Sequence, residues 1–271
     1  RDRHNIRAAF QTGFRNPGAQ EQYIALDIGS AIILGGAQDN VENYNYMSPD
    51  TTLYNGADIH SELISVTTGE VLNLSFIKPE NIKTGEIGYR GLFANSVQVE
   101  ASYFYSIYNN FISRLVGFHP GSGRVFSVYT NMDDDEKVTA QGANVGVNYT
   151  HSKGYNVGAN YSYITFNADD ANPAFVPGFN TPKHRMNVFF GNEDVYKGLG
   201  FNINFRYYDS YLWQSPFGEG DIEAYHVMDL ALSYKVPKIK TTFKAGASNL
   251  TGKEYKQIYG GPEIGSIYYL S

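Results

Sequence analysis

The sequence predicts an all-β fold, an antiparallel transmembrane β-barrel, from three observations along its 271 residues. Apolar and polar residues alternate in long runs, and such alternation places them on opposite faces of a strand. Short and long connections alternate between these runs, as they do in barrels with short turns on one side of the membrane. The residues of the polar face are mostly small with scattered charges, which is typical of a barrel lumen.

The stretch 96–111, SVQVEASYFYSIYNNF, shows the alternation over the greatest length. One face carries valine, alanine, tyrosine and isoleucine side chains between Val97 and Ile107. The other face is small and polar, with Phe104 as the exception. About 9 to 11 tilted residues cross a bilayer, whereas a soluble strand averages about 5 to 6. The length of this run therefore favours a membrane strand.

About ten strands follow from the same pattern. They are predicted at 4–14, 82–93, 96–112, 138–150, 155–163, 184–190, 201–207, 228–234, 239–245 and 264–270. The long connections between them are 15–81, 113–137, 167–182, 212–222 and 249–263, and the short links lie near 94, 152, 195 and 237. We interpret the long connections as extracellular loops and the short links as periplasmic turns. Residues 15–81 are expected to be irregular, and residues 125–129 to extend a hairpin above the membrane.

Composition excludes several classes of protein. The net charge of −6, without a basic patch, argues against nucleic-acid binding. The absence of cysteine excludes a disulfide scaffold and thiolate metal sites. No apolar run is long enough for a transmembrane helix. The first ten residues, RDRHNIRAAF, already form a strand pattern, so we expect the chain to be part of a longer protein.

Three motifs, in this order, resemble the C-terminal part of TonB-dependent outer-membrane receptors. They are FQTGFRNPGAQEQY (Phe10–Tyr23), KPENIKTGEIGYRG (Lys78–Gly91) and ASNLTGKEYKQIYGGPEIGSIYYLS (Ala247–Ser271). The resemblance spans nearly the whole chain. It implies that the chain forms the last ten strands of a larger barrel of about 22 strands. The plug domain and TonB box of the family have no counterpart in this sequence.

The resemblance also implies a function and partners. Members of this family import scarce nutrients across the outer membrane, and their ligands bind between the extracellular loops and the plug. The implied partners are the plug domain, the remaining barrel strands, the TonB energy-transducing complex, outer-membrane lipids and, in some members, a surface lipoprotein lid. No cofactor is implied. The substrate class stays open among iron chelates, cobalamin, glycans and peptides.

Six polar residues are predicted to contact the plug or to line the lumen. They are Arg7, Gln11, Arg15, Arg90, Glu100 and Arg206. The lumenal carboxylates Glu86, Glu100 and Asp229 are expected to pair with Arg7, Arg90 or Arg206 rather than to form an acid/base pair. Arg15 is expected to pair with a plug or wall carboxylate. We therefore predict no enzymatic activity, and the sequence contains none of the common nucleophile or phosphate-binding motifs.

Loop and interface residues give weaker signals. Trp213 and Phe217 lie in a loop and could stack on an extracellular ligand. The run Asp133, Asp134, Asp135 could supply carboxylates to Ca²⁺, although a solvated loop tip is favoured. Six aromatic residues near strand ends are interpreted as a membrane-interface girdle: Tyr105, Tyr108, Tyr163, Tyr208, Trp213 and Tyr269.

Two alternatives to a TonB-dependent transporter remain open at this point. A passive porin-like or adhesin barrel without a plug would show the same strands and loops. A soluble β-rich binding module would also alternate, because an antiparallel sheet with one wet face has the same period. Detergent dependence separates the soluble module from both barrels.

Overall fold

The computed structural model describes residues 3–41, 63–72, 74–132, 137–168 and 174–271. In chain order the elements are β1 (His4–Arg15), α1 (Ala19–Tyr23), β2 (Ala25–Asp27), β3 (Ile32–Leu34), β4 (Ile64–Ser65), β5 (Glu80–Phe93), β6 (Val97–Asn109), β7 (Ile112–His119), β8 (Arg124–Asn131), β9 (Val138–Thr150), β10 (Tyr155–Asn167), β11 (Phe175–Val176), β12 (His184–Tyr196), β13 (Leu199–Tyr208), β14 (Tyr211–Ser215), β15 (Gly218–Ile222), β16 (Tyr225–Val236) and β17 (Thr241–Ser248), and β18 (Ile267–Leu270) ends the series. The all-β antiparallel fold is confirmed.

The main sheet of the described chain has ten antiparallel strands. Their order is β1-β5-β6-β9-β10-β12-β13-β16-β17-β18. Each strand pairs with the next strand of the sheet along the sequence, so the sheet is a meander. Strands β5 and β6 pair over 13 positions, from Asn81↔Asn109 to Phe93↔Val97, which exceeds the length needed to cross a bilayer.

Tight turns join the strands at one end of this sheet. The β5–β6 turn uses left-handed backbone at Ala94 (φ 47°) and Asn95 (φ 59°). The β12–β13 turn does the same at Lys197 (φ 47°) and Gly198 (φ 89°). Two successive positive φ values match the right-handed twist of a hairpin. These turns lie at two of the short links that the sequence predicts.

A second sheet forms from the long connections. Its order is β11-β7-β8-β3-β2, with β4 pairing to β7. One face of it holds a hydrophobic core that includes Ile32, Leu34, Leu115, Phe126 and Val128. We call this second sheet with its core the loop layer. The expected hairpin around 125–129 is present as β7–β8.

The expectation that 15–81 is irregular is wrong for the part that the structure describes, while residues 42–62 and 73 lie outside the described residues. Strands β2, β3 and β4 and helix α1 lie within 15–81, and Ile33, Leu34 and Leu63 are fully buried. Each strand here is only two or three residues long, too short to show alternation. Strand β3 pairs in parallel with β8, a partner far away in sequence, so local pattern could not indicate the pairing.

Smaller corrections concern the C-terminal third. The connection 212–222, predicted as a long loop, contains a hairpin, β14–β15. Strand β17 begins at Thr241, because Pro237–Ile239 form a 3₁₀ turn. The last strand begins at Ile267, since Ile264 instead bridges to Tyr255. Within the described ranges, no helix has the length and apolarity needed to span a bilayer.

Candidate functional site

The main sheet has one apolar and one polar face. The apolar face leaves large side chains open: Ile6 is 74% exposed, Phe10 73% and Phe14 72%. Ile87 on β5, Tyr103 on β6 and Val145 on β9 lie on the same face, as the pairing of these strands shows. A soluble monomer rarely exposes so large an apolar surface. This face has the character of a surface that faces lipid.

The polar face gathers the six residues that the sequence predicts to face a lumen. The register Arg7↔Gly88 and Arg90↔Glu100 places these residues on one face. The alternation then continues strand by strand to Arg206, opposite Asn187. All six predicted residues lie on this face: Arg7, Gln11, Arg15, Arg90, Glu100 and Arg206. Their contact with a plug domain stays a prediction.

Three ion pairs join neighbouring strands across the polar face. Arg7 Nη2 lies 2.7 Å from Glu86 Oε1, and Arg90 Nε lies 3.0 Å from Glu100 Oε1. Arg206 Nη2 lies 2.7 Å from Asp229 Oδ2. Each acidic partner is one that the sequence predicts. Arg7 and Arg90 keep 67% of their side chains exposed, so these two pairs contribute little to stability.

Arg15 connects the main sheet to the loop layer. Its Nη1 donates to both carboxylate oxygens of Glu21, at 2.8 and 2.9 Å, and its Nη2 lies 3.3 Å from Glu80 Oε2. Glu21 also accepts from Gly18 N at 2.6 Å, at the start of α1. The expected wall carboxylate is therefore Glu80, at the first position of β5. The contact therefore joins the FR-x-P and KPE motifs of this sequence.

Glu80 provides a test of the contact between sheet and loop layer. Its Oε2 accepts from Ile112 N at 3.0 Å, and the residue is 7% exposed. The change Glu80→Ala would leave this buried N–H unpaired, so we expect it to lower the free energy of unfolding by about 1–3 kcal/mol. The matched control is Glu100→Ala, whose pair with Arg90 is exposed and is expected to be worth about 0–1 kcal/mol. Urea unfolding in bilayers measures both, and equal losses would contradict this role of Glu80.

Aromatic rings cover glycines on the polar face, a feature that sequence reasoning missed. Phe104, the exception to the alternation, lies over Gly142, where an added Cβ would come within 2.6 Å of its ring. Phe189 covers Gly158 in the same way, at 2.5 Å. An aromatic residue breaking the polar pattern opposite a glycine is the sequence signal for this packing. The glycines give the rings room to lie flat against the wall.

The near-terminal motif ASNLTGKEY forms a hydrogen-bonded corner. Asp229 Oδ1 accepts from Ser248 Oγ at 2.8 Å and from Asn249 N at 3.1 Å. Asn249 is 1% exposed with φ 53°, and its Nδ2 donates to Lys253 O at 2.9 Å. Because Asp229 also pairs with Arg206, the corner ties the C-terminal loop to the wall.

Four of the six girdle residues lie elsewhere than predicted. Tyr108 packs against the core of the loop layer. Tyr208 stacks on Tyr225 at 4.8 Å between ring centroids, and Trp213 packs against the same cluster. Tyr269 covers Gly246 on the polar face. Their positions at strand ends suggested a girdle, but the period of the strand turns Tyr108, Tyr208 and Tyr269 to the polar face.

Tyr105 and Tyr163 lie on the apolar face, as the girdle interpretation requires. Tyr105 is 41% exposed, and Tyr163 has Lys183 Nζ 5.8 Å from its ring centroid. An aromatic ring beside a lysine is a common arrangement at a membrane interface.

The two predicted ligand-contacting aromatics share the β14–β15 hairpin but differ in exposure. Trp213 is partly buried beneath the hairpin, in the cluster of Ile222, Tyr225 and Val227. Phe217, at the tip, is 66% exposed. Phe217 is therefore the more accessible of the two, and the contact of either residue with a ligand stays a prediction. Trp213 also packs against the cluster that supports the hairpin.

The acidic run proposed as a Ca²⁺ site, Asp133–Asp135, lies outside the described residues. Elsewhere in the described chain, no group of three or more histidine, aspartate and glutamate side chains could hold a metal. Arg185, which the sequence did not single out, lies exposed on the polar face. No described carboxylate is within ion-pairing distance of it.

Comparison with known proteins supports these observations. The family described as TonB dependent receptor-like, beta-barrel, matches residues 1–250. No curated protein sequence matches the chain. Among solved structures, the siderophore receptor PirA from Acinetobacter baumannii superimposes with a TM-score of 0.55 at 15% identity, over 78% of this chain and 34% of that one.

Two further solved structures are similar. The copper transporter OprC gives a TM-score of 0.56 at 16% identity, over 93% of this chain and 32% of that one. The ferric enterobactin receptor PfeA from Pseudomonas aeruginosa gives 0.56 at 13% identity, over 94% and 34%. At such identities the likeness shows the fold, and the chain spans about a third of each receptor's length. With the family match over residues 1–250, these observations show that the chain belongs to the TonB-dependent receptor β-barrel family.

Proposed function

We propose that the chain forms part of the barrel wall and the extracellular loop layer of an outer-membrane transporter that imports a scarce nutrient. The observation that carries this proposal is the ten-stranded sheet with one open apolar face and one polar face. The apolar face meets lipid, and the polar face lines the lumen. Transport rather than catalysis is the function of such a wall.

The two edge strands of the sheet, β1 and β18, support the proposal that further barrel strands are partners of this chain. Strand β1 is an edge strand of 12 residues, all of them exposed. A bilayer offers no hydrogen-bonding partner to an unpaired backbone, so a sheet in lipid must close. We infer that further strands pair with β1 and β18, to a total of about 22.

The polar face supplies a docking surface for a plug domain. Arg185 is exposed there without an ion-pair partner among the described residues, so it is available to a carboxylate of a domain inside the lumen. The plug would couple the barrel to the TonB complex, and a surface lipoprotein could cover the loop layer. These partners distinguish an energy-dependent transporter from a passive porin-like or adhesin barrel.

Uptake measured with and without TonB tests the proposal. Cells that lack their own transporters would express the complete receptor and be offered iron chelates, cobalamin, glycans or peptides in turn. We expect accumulation of one class only, and only in cells with an intact TonB complex. Accumulation independent of TonB would favour the passive barrel. A complete protein that stays folded and monomeric in water without detergent would favour the soluble binding module.

A further inference from the structure

A cleft separates the loop layer from the β14–β15 hairpin. It has a volume of about 460 Å³. The face of β7 and β8 opposite the hydrophobic core forms one wall, and Gln214–Glu219 form the other. Val176, Val116 and the exposed ring of Phe217 give this cleft an apolar lining. It lies within the loops rather than on the polar face of the main sheet.

One cation, Arg114, is buried at this cleft. The residue is 7% exposed, and its Nη1 donates to Ser127 Oγ at 2.9 Å. No carboxylate of the described residues lies within ion-pairing distance of its guanidinium. A buried charge without a charged partner is costly. Burial lowers the pKa of the Arg114 guanidinium, while Tyr129 and Glu219 act in the opposite direction.

The charge of Glu219 acts on the Arg114 guanidinium, but the two side chains do not form an ion pair. Glu219 lies on the far wall of the cleft, where its Oε2 accepts from Gln214 Nε2 at 3.1 Å. The residue is exposed, so its charge is screened by water. Within the part of the chain that the structure describes, the Arg114 guanidinium donates to Ser127 alone, so it has further N–H donors to offer beside apolar walls.

We propose that this cleft binds a small aromatic carboxylate. The carboxylate would meet Arg114, because a guanidinium offers two parallel N–H donors that match its two oxygens. The ring would lie against Phe217 and Val176 of β11. Glu219, having the same charge as the ligand, opposes its entry. The proposal goes beyond nutrient import and rests on it only in placing the loop layer outside the membrane.

Calorimetric titration of benzoate into the complete receptor in detergent tests this site. We expect the change Arg114→Gln to weaken benzoate binding by roughly tenfold or more, since a charge-assisted hydrogen-bonded pair is lost. The matched control is Arg124→Gln in the same sheet. Arg124 pairs with Asp27 at 2.7 Å and does not line the cleft. Its removal should leave benzoate binding unchanged.

Two exposed positions keep the test decisive if Arg114→Gln fails to fold. Phe217→Ala should weaken benzoate binding, and Glu219→Gln should strengthen it by a few-fold. Acetate, which has no ring, should bind more weakly than benzoate. Absence of benzoate binding, equal binding in both arginine variants, or acetate binding as tight as benzoate would overturn the proposal. Because the titration needs no transport, its failure is separate from a failure of TonB-dependent uptake.

Discussion

The change Val145→Arg, in the middle of β9, should lower the free energy of unfolding in a bilayer by about 2–4 kcal/mol. Val145 is 46% exposed on the apolar face. It pairs with Ala101 on one side and Tyr161 on the other, in the middle of three long strands. A charge there must leave water for the centre of the hydrocarbon region, which is where the cost is greatest. Urea unfolding of the complete receptor in lipid vesicles measures the change.

The adjacent residue provides the control for Val145→Arg. Asn144 is exposed on the polar face, opposite Ser102 and Ser162. Asn144→Arg should cost much less, because its guanidinium would stay in a water-filled lumen. Similar losses at the two positions would contradict the assignment of the faces, and a larger loss for Asn144→Arg would reverse it.

The change Phe126→Ala should destabilise the loop layer by about 3–5 kcal/mol without opening the main sheet. Phe126 is fully buried among Leu34, Leu115 and Val128. Removing its ring leaves a cavity in the core of the loop layer, where β3, β7 and β8 pair with one another. We expect faster amide hydrogen exchange in β3, β7 and β8, with unchanged exchange in β5 and in the parts of β6 and β9 beyond the ends that touch this core.

Phe118→Ala is the matched control for Phe126→Ala. Phe118 lies on the opposite face of the same sheet and is 38% exposed. Its loss should have a small effect on exchange in the loop layer. Equal effects of the two changes, or loss of protection in the main sheet with Phe126→Ala, would show that the loop layer has no independent core.

The main sheet could be predicted because its strands are long and obey one period. Alternation over a dozen residues fixes which side chains share a face, so the polar set and its ion pairs follow from sequence. The pairs Arg7–Glu86, Arg90–Glu100 and Arg206–Asp229 are found as expected. Their residues are on neighbouring strands, which a meander places side by side.

The loop layer could not be predicted because its pairing is distant in sequence. Strands β2 and β3 have three residues each, and β3 pairs with β8 about ninety positions later along the chain, as in Ile32↔Phe126. For the same reason the cleft was missed. Arg114 lies in a predicted loop, and its place in a cleft between β7 and the β14–β15 hairpin depends on contacts distant in sequence.

Two cysteine substitutions, labelled in intact cells, test the central claim that the main sheet crosses the outer membrane with the loop layer outside. The chain has no cysteine of its own, so Phe217→Cys in the β14–β15 hairpin and Lys153→Cys in the β9–β10 turn each introduce a single thiol. With a maleimide that cannot cross the membrane, we predict labelling of the first variant in intact cells and of the second only after the outer membrane is opened. Labelling of both variants in intact cells, or of the turn alone, would contradict the account.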